Sequence, residues 1–285
     1  MRWKGRRGSA NIEDRRGRRG AGTTGRVGGA GALGLLAVLL IGWVFGVDVS
    51  PLLSGGGGGG AVESRPLSEA ERAEGEFVSV VLADTEEIWT EIFRRQLGER
   101  YDPATLVLFS GVTSSPCGGA SGATGPFYCP ADRKAYLDTA YFTTLAQRFG
   151  ATGDFAAAYV VAHEIAHHIQ NELGILGQAN ALRAQSGQVQ ANAISVRIEL
   201  QADCYAGIWA RAAQARFGTL EPGDIAEAVN AAREIGDDRL EGAAGRPPRP
   251  HTYTHGTSEQ RARWFMRGLR SGDLRDCDTF SATRL

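Results

Sequence analysis

Two pairs of ionisable residues, each spaced four apart, constrain this chain more than any other feature. His163 and His167 lie in one apolar segment, and Glu199 and Asp203 lie in another. At helical rise, positions four apart leave the same face one turn apart. The first segment is uncharged from Ala156 to Ala162, and the second carries Ile194, Val196, Ile198, Leu200, Ile208 and Trp209 around its acids. Carboxylates in such surroundings need partners. A metal ion and a histidine meet that need.

The first pair reads in full His163-Glu164-Ile165-Ala166-His167. Its two imidazoles suit one Zn²⁺, and Glu164 stands beside them to take a proton from metal-bound water, which zinc acidifies to a pKa of roughly 7. Catalytic zinc needs a third protein ligand and an open fourth position. An arrangement with Gly at 170, His or Asp at 173 and a later Met turn is excluded, because those residues are Gln170 and Leu173 and the only methionines are Met1 and Met266. Glu199 on the following helix is the expected third ligand. Asp203 is expected to accept the outer N–H of a ligating histidine, most simply His163, and so to hold its ring. His168 and His251 are read as non-ligands, since His168 points about 100° away from His167.

The charge of −1 conceals an uneven distribution. Residues 1–29 hold nine basic and two acidic side chains, leaving 22 basic against 30 acidic in the remainder. An uncharged window of 21 residues follows, Val27 to Val47, about the length that crosses a bilayer at helical rise. The expected organisation is a basic cytoplasmic tail (1–29), a transmembrane helix (30–47), a Gly-rich linker (48–66) with six consecutive glycines, and one folded domain (67–285). A cleaved signal peptide is the rival reading of the window. Either way the body is exported: a single-pass arrangement would leave the N-terminus in the cytoplasm and the domain outside. A span after the basic tail also removes nucleic acid as a partner.

Within the body, Ser68-x-x-Glu71 reads as a capping box opening a helix that ends by Gly98. Thr105–Phe109 reads as a buried strand, and Phe127–Cys129 with Lys134–Asp138 as a hairpin. Asp154 is expected to cap a helix over 155–173. A polar stretch (178–192) separates it from a second apolar helix over 193–217; further helices start near Asp224 and at Thr257, which forms a second capping box with Gln260. The order predicts a mostly helical α+β domain with a small sheet. Four cysteines allow three pairings. Cys117–Cys129 across a glycine-rich loop, together with Cys204–Cys277, is the favoured one, and four free thiols is the competing state.

Three separated motifs carry a resemblance. They are His163-Glu164-x-x-His167-His168-x-Gln170, then Glu199-Leu200-Gln201-Ala202-Asp203-Cys204-Tyr205-Ala206-Gly207, then His255-Gly256-Thr257-Ser258-Glu259-Gln260-Arg261. Over about residues 67–280 the chain resembles the bacterial putative neutral zinc metallopeptidases. That resemblance implies a zincin-like fold, one Zn²⁺ per chain bound by His163, His167 and Glu199, Glu164 as general base, and hydrolysis of a protein or peptide substrate. His255, just before a helix start, is expected to stabilise the oxyanion, with Arg261 a rival for that role or for a substrate carboxylate. Lys134–Asp138 is expected to be an edge strand that holds extended substrate. The alternative is a binding or scaffold protein with the same fold and little turnover; the intact Glu164 counts against it.

Overall fold

The computed structural model describes residues 1–17, 65–121 and 125–285. Both capping boxes form. Ser68 and Glu71 cap each other's orphan N–H groups at the start of α1 (Glu69–Ile92), which passes through a π turn (Phe93–Leu97) and stops at Gly98 in the left-handed conformation. The four-stranded sheet runs β1 (Ile12–Asp14), β2 (Thr105–Phe109), β6 (Lys134–Asp138), β5 (Phe127–Cys129) in space. The first three strands are parallel, and β5 returns antiparallel to β6. Between β2 and β5, β3 (Val112–Ser115) and β4 (Gly118–Ser121) form a separate hairpin. Lys134–Asp138 is therefore not an edge: β2 pairs along one side and β5 along the other.

Helices α2 (Ala140–Phe149) and α3 (Asp154–Glu172) follow the sheet. Gly153, not Asp154, stands at the N-cap of α3, and the Glu227 carboxylate accepts the Phe155 N–H. The stretch expected to be a polar connection is largely helical, with α4 (Ile175–Ala184) running almost into α5 (Gln188–Phe217). Three helices complete the domain: α6 (Asp224–Glu234), α7 (Asp237–Ala243) and α8 (Ser258–Ser271). The α+β, mostly helical expectation holds.

Helix α3 is the centre of the core, with Phe155, Ala156, Ala158, Ile165, Ala166 and Ile169 fully enclosed. Helix α5 lies against it, and Phe155 stacks on Trp209 at 5.7 Å between ring centroids. Helix α8 approaches α5 through reciprocal glycines. A Cβ on Gly207 would fall 2.0 Å from the Phe265 carbonyl oxygen, and one on Gly268 would fall 1.8 Å from that of Cys204. Only backbone without side chains allows so close a crossing.

Residues 1–17 depart from the expected free tail, because they are built into the body. Strand β1 pairs with β2 in the register Ile12↔Leu106, and Met1 is buried. Arg6 pairs with Asp84 on α1, Asn11 Nδ2 donates to Glu86 (2.8 Å), and Lys134 Nζ donates to Glu13 (2.6 Å). Arg16 reaches Asp14 and the Glu71 carbonyl across Gly75, where its guanidinium fills the place of a Cβ. The cause is a long-range pairing: an edge of β2 would otherwise leave its N–H and C=O groups unmatched. The expected span over 30–47 and most of the linker lie outside the described residues. Among the described residues no helix is long and apolar enough to cross a membrane.

Candidate metal centre

Helix α3 presents Tyr159, His163 and His167 on one face, and α5 presents Glu199 and Asp203 opposite them. Donor atoms of His163, His167 and Glu199 all lie within 4.8 Å of one another. His163 Nε2 is 3.1 Å from Glu199 Oε2, and His167 Nε2 is 3.5 Å from Glu199 Oε1. The two imidazoles stand nearly perpendicular, with centroids 4.8 Å apart.

Each ring is held from behind through Nδ1. His163 Nδ1 lies 2.9 Å from Asp203 Oδ1, the partnership expected from the four-residue spacing. His167 Nδ1 lies 2.9 Å from Gln170 Oε1, a partner that the sequence reading had not assigned. With Nδ1–H donating in both cases, the Nε2 lone pairs face Glu199 and each other.

Asp203 is itself enclosed by donors. Arg261 gives Nε to Oδ2 (2.9 Å) and Nη2 to Oδ1 (3.0 Å), and the Tyr159 hydroxyl also donates to Oδ1. Burial alone would push this carboxyl upward, but the Arg261 charge and the His163 hydrogen bond hold it below its ordinary value. Arg261 is buried and committed to Asp203, so it is not free to meet a substrate carboxylate or an oxyanion.

Burial likewise opposes the charged forms of Glu199 and the two histidines, and it loses to their mutual attraction. Glu199 is lowered well below the carboxylate range and His163 is raised to about 10. A proton and a cation compete for the same imidazole lone pairs. Glu164 behaves differently: burial raises it, His167 and His163 only partly offset that, and its Oε2 is buried with no hydrogen-bond partner.

His255 is half-exposed beside this centre, on the loop before α8. Asp237 organises that loop: its Oδ2 accepts the backbone N–H groups of Thr254, His255 and Gly256, while Oδ1 lies 3.2 Å from His255 Nδ1. Partial burial disfavours the imidazolium, but Asp237 and the Glu199 charge outweigh it and raise His255. His168 points elsewhere. Its Nε2 donates to the Asp102 carbonyl (2.7 Å), so Nδ1 accepts from the Tyr128 hydroxyl (3.0 Å). His251 contributes only its main-chain carbonyl, to Asn192.

Both favoured disulfides are present, Cys117–Cys129 and Cys204–Cys277. Cys204 is therefore no ligand. A second acidic group, Asp154, Asp224 and Glu227, could also gather around a cation, but the Met1 amino nitrogen already lies against Asp154 and Asp224.

Comparison with known proteins gives the chain's relatives and its family. YpfJ, an uncharacterized protein of Escherichia coli K12, is 44% identical over 285 residues, covering 98% of this chain and 99% of that one. The uncharacterized protein Rv2575 of Mycobacterium tuberculosis H37Rv is 48% identical over 195 residues, 65% of each chain. No solved structure matches. The profile described as putative neutral zinc metallopeptidase matches residues 1–280, the N-terminal segment included, and the chain belongs to that family.

Proposed function

We propose that this chain is a zinc-dependent endopeptidase. The observation that carries the reading is the convergence of two Nε2 atoms and one carboxylate beside an unpartnered Glu164 oxygen. Two neutral imidazoles and a carboxylate are the donor set that catalytic zinc prefers, with a position left for water or substrate. His163, His167 and Glu199 would hold the ion, which supplies Lewis acidity towards a peptide carbonyl and makes water a nucleophile at neutral pH.

The chain's own groups do the rest. Glu164, whose Oε2 has no other partner, takes the proton from the attacking water and returns it to the departing amine; its raised pKa suits both halves of that transfer. Asp237 holds the His255 imidazole through Nδ1 and favours its imidazolium form, in which Nε2–H also donates, to the oxygen that gains charge. Among the described residues strand β5 pairs with β6 alone, and an extended substrate would add to its other edge, the place first assigned to Lys134–Asp138. Tyr128 ties β5 to α3 through His168.

The test is metal content and casein cleavage by the full chain, beside Glu164→Gln. One zinc per chain and a fall in turnover of about a hundred- to ten-thousand-fold in the variant are expected. Wild type without zinc, or equal cleavage by both, ends the reading.

Two disulfides support a site of action outside the cytoplasm. The pairing of β1 with β2 supports an arrangement in which residues 1–17 share a side with residues 65–285, in place of a cytoplasmic tail ahead of an external body. Single cysteines introduced at Lys4 and Arg100, both exposed, should react alike with a membrane-impermeant maleimide on intact cells. Labelling at Arg100 alone would restore the single-pass arrangement.

A further inference from the structure

The two metal-facing histidines are backed by unlike groups. His163 leans on a carboxylate and His167 on a neutral amide, and that amide is the first member of a longer chain. Gln170 Nε2 donates to the Ile198 carbonyl (2.8 Å) and to Gln201 Oε1 (3.0 Å). Gln201 Nε2 in turn donates to the Cys277 carbonyl (3.1 Å). Gln170, Gln201 and Cys277 are all buried, where groups of this kind need partners within the protein.

The direction of this chain is forced. A main-chain carbonyl can only accept, so the Ile198 oxygen compels Gln170 to turn its amide nitrogen that way. Its Oε1 must then face His167, and His167 Nδ1 must carry the proton. At the other end, the Cys277 carbonyl compels Gln201 to turn its nitrogen outward and its oxygen towards Gln170. Every member has one orientation that satisfies all partners, and that orientation leaves the His167 Nε2 lone pair facing Glu199. The Cys204–Cys277 disulfide fastens the far end to α5, one residue after Asp203.

We infer that Gln170 and Gln201 are positioning residues which set the tautomer and ring orientation of His167, with the disulfide-anchored Cys277 carbonyl as their fixed reference. The inference rests on the metal-centre reading above and deepens it. It gives a role to two motif glutamines that the catalytic scheme leaves unused. It also makes the C-terminal segment part of the metal centre, although no side chain of that segment reaches it.

The experiment compares the full-length wild type with Gln170→Leu and Gln201→Met. Zinc affinity is read by competition with a chelator of known strength. The histidine tautomers are read by ¹⁵N imidazole NMR. Gln170→Leu is expected to weaken zinc about ten- to a hundredfold, the usual effect of losing an outer hydrogen-bond partner of a ligand. It should also shift the His167 Nδ1–H signal while leaving that of His163 in place. Gln201→Met, one step further away and gentler on folding, should move both readouts in the same direction by less. Zinc affinity within twofold of wild type in both variants, with an unchanged His167 signal, overturns the relay. A wild type that takes up no zinc removes the peptidase reading, and the relay then stands or falls on the imidazole spectra alone.

Discussion

The metal-bearing face of α3 and α5 and the N-terminal segment are both dense in charge, yet they work in opposite ways. On α3 and α5 the ionisable groups sit at four-residue spacing inside apolar helices, and their partners face them across one helix contact. In residues 1–17 the partners of Arg6, Asn11 and Glu13 are Asp84, Glu86 and Lys134, far along the chain. The first arrangement prepares chemistry and leaves one carboxylate oxygen unsatisfied. The second leaves little unsatisfied and serves to complete a sheet. Charge in a buried helix points to function, whereas charge at a chain end says nothing until its partner is known.

Deleting residues 1–17 is the harshest way to test this contrast. It removes β1 and the buried Met1, and it leaves Asp84 without its ion-pair partner. A loss of about 5 kcal/mol or more is expected, comparable to the whole stability of many domains. The truncated chain should unfold at markedly lower urea or fail to fold. An unchanged urea midpoint would make the segment a mere tail again. At the other region the expectation reverses. Glu164→Gln should cost activity but no stability, and a rise of a few degrees in Tm is expected, since a buried carboxylate oxygen without a partner is unfavourable in the folded state. Destabilisation of that variant by several degrees would mean that Glu164 is structural.

Much of the site was legible because it depends on local periodicity. The spacings 163/167 and 199/203, the capping boxes at Ser68 and Thr257, and the glycine-rich stretch between Cys117 and Cys129 are all readable within a dozen or so residues. Gln170 was visible as part of a motif, but its role depends on the Ile198 and Cys277 carbonyls, which no local pattern announces. Asp237 could have been suspected only from its place in an acidic pair that opens a short helix. The place of the N-terminal segment was not legible because a long uncharged window and a glycine run separate β1 from the body in sequence. The three-residue strand Ile12-Glu13-Asp14 is too short and too polar to announce itself.

The finest test of the comparison is the Arg6–Asp84 pair, where pH separates charge from packing. Burial raises Asp84 from 3.8 to about 6, against the opposing charge and hydrogen bond of Arg6; Glu87 adds to the rise and Arg7 opposes it. A carboxyl whose folded value lies above its unfolded one holds a proton that the unfolded chain releases. Its contribution to stability is therefore fullest below about pH 4 and falls by about 3 kcal/mol as pH climbs past 6. Arg6 limits that fall only while Asp84 is ionised. Arg6→Met should thus cost about 1–3 kcal/mol more at pH 8 than at pH 4.5, read from urea midpoints. Arg6 also lies over the Phe217 ring, 4.2 Å from its centroid, and loss of that contact adds a smaller cost at both pH values. Equal destabilisation at the two pH values would show that Arg6 contributes packing alone, and that residues 1–17 are held by their strand and apolar contacts without help from this ion pair.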